Sequence, residues 1–122
     1  MEPNEITGEI IRCAHTVANI LGAGFLEKVY EKALAHELRK AGLPVERQQP
    51  VCVTYDGIAV GNYFADLLVM GTVVVEVKAT KKITEIDMAQ SLNYLRATGL
   101  KICLVINFGT SRIEVKRLVH HF

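Results

Sequence analysis

In the first third of the chain, apolar residues recur at steps of three and four positions, which is the spacing of amphipathic helices. A first helix is predicted over residues 4–21 and a second over about 25–41, with Gly22-Ala23-Gly24 breaking the pattern between them. Gly42, with Pro44 beyond it, supplies the stop signal of the second helix. The predicted buried faces are Ile6, Ile10, Cys13, Val17 and Ile20 on the first helix and Leu26, Val29, Tyr30, Ala33, Leu34 and Leu38 on the second.

After Pro44 the pattern changes to alternation and to short runs of β-branched residues, which are typical of strands. Strands are predicted over residues 45–55, 58–69, 72–78, 100–107 and 112–119. Asp56-Gly57 and Met70-Gly71 are predicted to form tight turns, so that the first three strands make an antiparallel meander. Gly61 is expected to mark a bulge or a bend.

A third helix is predicted over residues 84–97, between the third and fourth strands. Thr84 and Asp87 form a capping-box-like start, and Gly99 follows the end. Its predicted buried side contains Ile86, Ala89, Leu92 (or Asn93) and Leu95. Because the connection is long enough for a parallel pair of strands, we expect an α/β fold with a mixed β-sheet, two N-terminal helices and a right-handed crossover helix.

Length and composition fit one globular domain, predicted to span residues 1–122. Hydrophobic residues make up 50% of the chain and charged residues 22%, which argues against a disordered protein. No apolar run approaches the ~20 residues needed to span a bilayer, and residues 1–5 lack the features of a signal peptide. We therefore expect a cytoplasmic protein with no membrane partner.

Cysteine and histidine usage suggests neither a zinc site nor a disulfide framework. Cys13, Cys52 and Cys103 are widely spaced and form no CxxC pair, and since each lies in an apolar stretch, all three are expected to be buried free thiols. The adjacent His120 and His121 are a weak metal signal, and the end of the chain is expected to fray.

The net charge of +1 provides no strong electrostatic footprint for nucleic acid, so any such contact must come from a local basic patch. The candidates are Lys81, Lys82, Arg96, Lys101, Arg112, Lys116 and Arg117. For each of them taken singly, a solvated surface position is the favoured interpretation.

The candidate chemistry lies between Phe64 and Lys78. Because side chains alternate along a strand, Glu76 and Lys78 point to the same face, with Cα atoms roughly 6.6 Å apart. This span suits a carboxylate that holds a divalent cation and an ammonium group beside the cation's bound water. The alternative is the solvated face of a half-covered sheet, but residues 73–77 are apolar on both faces, and charges in a strand buried on both sides are costly unless paired or bound to metal.

Three segments resemble the motifs of a known family. Residues 24–30, GFLEKVY, resemble the GxxExxY signature of a family of small proteins placed in the PD-(D/E)XK nuclease superfamily. Asp66 followed by Glu76-Val77-Lys78 resembles the D…(E)xK pattern of that superfamily, and Gln90 to Tyr94 resembles its QxxxY element. The resemblance covers about residues 6–119 and implies a restriction-endonuclease-like core. Ala65 stands where the superfamily's name has proline, a residue that does not itself bind metal.

The resemblance implies a metal site. Asp66 and Glu76 would hold Mg²⁺ or Mn²⁺, hard ions that favour oxygen ligands, and the backbone carbonyl of Val77 would add another. Glu27 resembles the additional acid that many members contribute, bound to the metal directly or through water. From helix geometry alone, Glu27 pairs instead with neighbours in solvent, and both alternatives stay open.

It also implies roles for the remaining polar residues. Lys78 would orient or help to deprotonate the attacking water and stabilise transition-state charge. Gln90 and Tyr94 would position the phosphate or a metal-bound water. Tyr30 would either contact substrate or pack in the core.

Two functional hypotheses follow. The first is a metal-dependent nuclease that hydrolyses phosphodiester bonds of DNA or RNA. The second is a non-catalytic module that binds nucleic acid or a protein on the same fold. Since 122 residues offer little surface for gripping nucleic acid, a homodimer is expected as well.

Overall fold

The computed structural model describes residues 1–120 and contains every predicted helix and strand, with boundaries within two residues of those expected. The elements are α1 (Pro3–Leu21), α2 (Glu27–Lys40), β1 (Val45–Tyr55), β2 (Ile58–Val69), β3 (Val73–Lys78), α3 (Glu85–Thr98), β4 (Ile102–Asn107) and β5 (Glu114–Val119). None of the described helices is long and apolar enough to cross a membrane.

The strands form one mixed sheet in the order β1-β2-β3-β4-β5. β3 and β4 are parallel, from Val73↔Ile102 to Lys78↔Asn107, and the other neighbouring pairs are antiparallel. The helix α3 makes the connection between the two parallel strands. The predicted α/β fold with a mixed sheet is confirmed.

The turn chemistry explains the meander. Asp56 and Gly57 have φ values of 52° and 75°, and Met70 and Gly71 have 55° and 63°. Two central residues at positive φ are the mark of a type I′ turn, whose twist matches that of the flanking strands. The β1–β2 register shifts between Val53, which pairs with Gly61, and Thr54, so the bulge lies beside that glycine as predicted.

The two faces of the sheet are covered by different helices. One face packs against α1 and α2 and includes Val73, Val75 and Val77 of β3. The other packs against α3 and includes Val74 of β3. Since side chains alternate along β3, Glu76 and Lys78 lie on the α3 side, in a strand buried on both faces.

Several predicted core positions are wrong. Ile20, Leu26 and Ile86 are 74%, 81% and 71% exposed, and Ala89 and Val29 are exposed too. The first three lie in the end turn or cap of their helices, where fewer elements surround a side chain. The face that α2 buries consists of Tyr30, Glu31, Leu34, Ala35 and Leu38, and α3 buries Ser91 and Leu95.

Cysteine burial differs at one position. Cys13 and Cys103 are buried free thiols as predicted, whereas Cys52 is exposed. Cys52 lies opposite Asn62, in the part of the β1–β2 hairpin that extends beyond the residues of β2 paired with β3. At the end of the chain, the backbone N–H of His120 donates to Lys101 O at 2.8 Å. The predicted fraying therefore does not begin before His120, and His121 lies outside the described residues.

Candidate active site

The site lies where β2 and β3 stop pairing. Their ladder runs from Val69↔Val73 to Leu67↔Val75. Beyond it, the carboxylate of Asp66 takes the place of a backbone acceptor, since its Oδ2 accepts a hydrogen bond from the N–H of Val77 at 2.8 Å. A side chain of one strand is thus fixed to the backbone of the next, directly beside Glu76.

The carboxyl groups of Glu76 and Asp66 are buried in surroundings that disfavour their charged forms. Glu76 is 6% exposed, and its Oε1 is buried with no hydrogen-bond partner in the described structure. Burial, reinforced by the charge of Asp66 and opposed by that of Lys78, raises the pKa of Glu76 to about 9. Burial likewise raises the pKa of Asp66 to about 6, although the hydrogen bond from Val77 lowers it.

This chemistry fits a hard divalent cation. An unpartnered buried oxygen and two carboxyl groups disfavoured in their charged form are what a cation would stabilise. Asp66 and Glu76 are the side chains that would hold it, with the carbonyl of Val77 beside them. Residues 1–120 contain no group of three or more His, Cys, Asp or Glu side chains that could hold a metal, so backbone and water oxygens would have to complete the coordination.

Lys78 forms an ion pair with Asp87, which was predicted as a helix cap but not as a residue of the site. Its Nζ lies 3.7 Å from Oδ1 of Asp87, in the first turn of α3. Asp87 also closes the predicted capping box: its Oδ2 accepts from the N–H of Thr84 at 2.9 Å, a bond that lowers the pKa of Asp87. The cap therefore keeps a charged carboxylate in place, and this carboxylate holds the ammonium of Lys78.

The predicted QxxxY residues lie on α3 near the carboxyl groups. Burial, followed by the charges of Glu76 and Asp66, raises the pKa of Tyr94 to about 12, so its hydroxyl keeps its proton and can donate. Gln90 is exposed and lines a small pocket together with Tyr94 and Tyr63. Tyr94 therefore lies close to the carboxyl groups, and Gln90 lies one turn before it on the same face of α3.

The acid of α2 that contacts the site network is Glu31. Glu27 is exposed at the start of α2, and its charge raises the pKa of Asp66 less than that of Glu31 does. Glu31 is 3% exposed and accepts hydrogen bonds from Arg47 Nη2 at 2.8 Å and Gln48 Nε2 at 2.7 Å.

Gln48 connects Glu31 to the site. Its Nε2 also lies 3.4 Å from Oδ1 of Asp66, which it faces across the β1–β2 pair. Its φ of 54° is uncommon for a residue with a side chain and interrupts the ladder at this point. Glu31, Arg47 and Gln48 were not predicted as site residues from the sequence. The signal for Glu31 was its position next to Tyr30 on the buried face.

Tyr30 packs in the core, the second of the two roles left open. The side chain is fully buried, and its ring stacks on Phe108 with centroids 4.8 Å apart. The hydroxyl donates to Gly22 O at 2.6 Å and accepts from the N–H of Phe25 at 3.1 Å. These contacts tie the glycine-containing connection to α2 and leave no surface for a substrate.

A second network holds the loop that follows Lys78. Asn107, which is fully buried, accepts hydrogen bonds from the N–H groups of Thr80 and Gly109 and donates to Thr80 O and to Glu114 Oε1, at 2.9–3.0 Å. Glu114 also accepts from the N–H of Ile83 at 3.0 Å. The loop between Lys78 and α3 is therefore fixed at both ends, a feature not predicted from the sequence.

Comparisons with known proteins agree with this geometry. A model of the PD-(D/E)XK nuclease superfamily matches residues 4–118. The chain belongs to this superfamily. No curated protein sequence matches it. Among solved structures it resembles the crystal structure of an alkaline exonuclease from Laribacter hongkongensis, with a TM-score of 0.53, 14% sequence identity, and coverage of 88% of this chain and 76% of that one.

The superfamily membership confirms the predicted PD-(D/E)XK-like core, and at 14% identity the structural likeness concerns the fold. PD-(D/E)XK nucleases generally use divalent metal ions. The buried carboxyl groups of Glu76 and Asp66 are oxygen ligands of the kind that such ions take.

Proposed function

We propose that this PD-(D/E)XK protein is a metal-dependent nuclease that hydrolyses phosphodiester bonds of DNA or RNA with Mg²⁺ or Mn²⁺. The observation that supports it most is the buried, unpartnered Oε1 of Glu76 beside the carboxylate of Asp66. Leaving a buried polar group unpaired costs roughly 1–3 kcal/mol. A bound cation would offset this cost by coordinating the oxygen. A module that only binds nucleic acid or protein offers no such compensation.

The remaining residues have defined tasks in this proposal. A bound divalent ion supplies polarisation of the scissile phosphate and a lowered pKa of the attacking water. Lys78, held by Asp87, orients that water and stabilises the charge that develops on the phosphate. Tyr94, protonated at neutral pH, donates a hydrogen bond to the phosphate, and Gln90 positions it from the same helix face.

Gln48 orients Asp66 through its side-chain amide, and Glu31, itself bound by Arg47, holds Gln48 in place. Glu27 is exposed at the start of α2, and its charge is a minor cause of the raised pKa of Asp66, so we propose that it would reach the ion only through water.

Finer features belong to the same proposal. Residues 24–30 support a place in the GxxExxY family, and we expect the protein to act in the cytoplasm. We also expect a homodimer, since exposed apolar side chains such as Ile20 and Leu26 are suited to burial against a second copy. Light scattering at micromolar concentration checks this, and a monomer contradicts it.

The test is a cleavage assay on single- and double-stranded DNA and RNA with Mg²⁺ or Mn²⁺. It compares the wild type with Asp66→Asn and Lys78→Ala. Matched controls are Asp56→Asn, in the exposed β1–β2 turn, and Lys32→Ala, exposed on α2.

We expect cleavage by the wild type and both controls, and a loss of at least about 100-fold in both site variants, as for other groups that stabilise transition-state charge. Equal cleavage by all five proteins would reveal a contaminating nuclease. No cleavage by any of them, with nucleic acid still bound, would favour the binding module instead.

A further inference from the structure

A groove runs along the α3 side of the β1–β2 hairpin. The hairpin continues beyond the three residues of β2 that pair with β3, and α3 packs alongside it. The cavity between them is about 420 Å³, and its walls include Val53 and Tyr63 from the hairpin and Asn93, Arg96 and Ala97 from α3. This size is within the range of roughly 300–1,000 Å³ of small-molecule sites.

The groove is continuous with the candidate active site. Val53, Tyr63, Asn93 and Ala97 also line the smaller pocket that reaches Gln90 and Tyr94. Tyr63 also precedes Asp66 by three residues on β2, so their Cα atoms lie roughly 10 Å apart. A strand that packs on Tyr63 can therefore extend to the carboxyl pair.

The side chains in the groove offer an aromatic ring and a cation. Tyr63 is 51% exposed, and its ring meets that of Tyr94 edge to face, with centroids 5.5 Å apart. This contact fixes the orientation of Tyr63 and leaves half of its surface open. The guanidinium of Arg96 donates to Asn93 Oδ1 at 3.0 Å and has further N–H groups to offer to a phosphate.

This combination matches a single strand better than a duplex. Unspecific duplex binding depends mainly on neutralising many phosphates, and the chain has a net charge of +1. Stacking of an unpaired base on an aromatic ring supplies affinity without many cations and tolerates any base. In a duplex the faces of the bases are already covered by their neighbours.

We propose that the groove is a stacking subsite for an unpaired nucleobase, which packs on Tyr63 while the adjacent phosphate of the strand lies near Asp66 and Glu76. The substrate class is then single-stranded nucleic acid, or the single-stranded end or flap of a duplex. The proposal rests on the nuclease function proposed above and specifies its substrate.

The test measures binding separately from cleavage. Short single-stranded DNA and RNA oligonucleotides carrying 2-aminopurine, and the corresponding duplexes, are titrated with the wild-type protein in EDTA at fixed salt. Fluorescence anisotropy gives the affinity, and quenching of 2-aminopurine reports stacking. We expect both single strands to bind more tightly than their duplexes, with quenching on binding.

Variants of Tyr63 decide the role of the ring. Tyr63→Ala should weaken single-strand binding by roughly 5- to 100-fold, as for other stacking aromatics, and abolish quenching. Tyr63→Leu should do the same while keeping apolar bulk against Tyr94, and Tyr63→Phe should bind like the wild type. Tyr55→Ala removes a 70% exposed aromatic at the end of the hairpin, outside the groove, and should change nothing.

The outcomes separate this inference from the nuclease proposal. Metal-dependent cleavage that is lost in Asp66→Asn, together with unchanged single-strand affinity in Tyr63→Ala and Tyr63→Leu, overturns the subsite and leaves the nuclease standing. Ring-dependent single-strand binding without cleavage supports the subsite and removes the nuclease. Duplexes bound as tightly as single strands, or no single-strand binding at all, overturn the subsite.

Discussion

At the scale of single residues, the carboxyl group of Glu76 has one buried oxygen that receives no hydrogen bond from any donor in residues 1–120. Its pKa rises from 4.5 to about 9 on folding, because burial disfavours the charged form. Between these two pH values the folded protein binds more protons than the unfolded chain does. Without metal, stability therefore falls as the pH rises through this range.

We predict that Glu76→Gln stabilises the metal-free protein. At pH 8 the free energy of unfolding should increase by up to several kcal/mol, because a neutral amide needs no proton to be buried and each unit of a raised pKa corresponds to about 1.4 kcal/mol. The decline of this free energy between about pH 5 and 9 should become shallower. Urea denaturation in EDTA measures both effects. Glu46→Gln, at an exposed position of β1, is the control, and a Glu76→Gln protein less stable than the wild type at pH 8 contradicts the prediction.

Tyr30 gives the second prediction at this scale. Tyr30→Phe keeps the ring stacked on Phe108 but removes the hydroxyl that bonds Gly22 and Phe25. The free energy of unfolding should fall by roughly 1–3 kcal/mol, because two hydrogen bonds, each worth about 0.5–1.5 kcal/mol, are lost. Substrate affinity should stay unchanged, since the hydroxyl is buried. A weakened affinity with unchanged stability would show that Tyr30 contacts substrate.

At the scale of elements, the loop between β3 and α3 sets the position of the candidate catalytic residues on both sides of it. Lys78 ends β3, and Asp87 lies in the first turn of α3. The loop packs closely on the end of β4, where a Cβ placed on Gly109 would lie 2.2 Å from the carbonyl oxygen of Thr80. Position 109 therefore requires glycine, because the backbone of Thr80 leaves no room for a side chain.

We predict that Gly109→Ala destabilises the protein by roughly 1–3 kcal/mol or more, because backbone must shift to admit the methyl group. The shift should also displace Asp87 from Lys78, so cleavage should fall more than the loss of folded protein explains. Gly61→Ala is the control, since a Cβ there meets nothing within 4 Å. Equal urea midpoints for the two variants would contradict this packing.

At the scale of the whole molecule, the site depends on the packing of three layers: α1 with α2, the sheet, and α3. The apolar residues of β3 and β4 are buried between α1 and α2 on one face and α3 on the other. The carboxyl groups are held at the point where β2 leaves β3. Loading the site with metal should therefore stabilise the entire fold.

We predict that excess Mn²⁺ raises the melting temperature, as a ligand of the folded state does; at 100 times its dissociation constant the gain is about 2.7 kcal/mol. The ion competes with protons for Asp66 and Glu76, whose pKa values are raised to about 6 and 9. Its affinity should therefore increase as the pH rises from about 6 to 9.

Asp66→Asn should lose the Mn²⁺ effect, and Asp56→Asn, which is compatible with the positive φ in the β1–β2 turn, should keep it. Calorimetry at several pH values checks both variants. An affinity that falls with rising pH contradicts the proposed ligands.

The sequence by itself determined the helices, the strands and the turns, because these depend on local periodicity and on turn chemistry such as that of Asp56-Gly57. It also determined that Glu76 and Lys78 share a face of β3, since alternation along a strand is a local property. The motif Asp66…Glu76-Val77-Lys78 was therefore recognisable, and its resemblance to the PD-(D/E)XK superfamily, together with that of residues 24–30 and 90–94, implied the core.

Only the tertiary structure decided which acid of α2 meets the site. Helical periodicity defines a face but not how the helix rotates against its neighbours, so Glu27 and Glu31, one turn apart, could not be ranked. Contacts with Arg47 and Gln48, sixteen and seventeen positions away, bury Glu31, whereas Glu27 stays exposed. The burial of a carboxyl group depends on residues distant in the chain, and no local pattern records them.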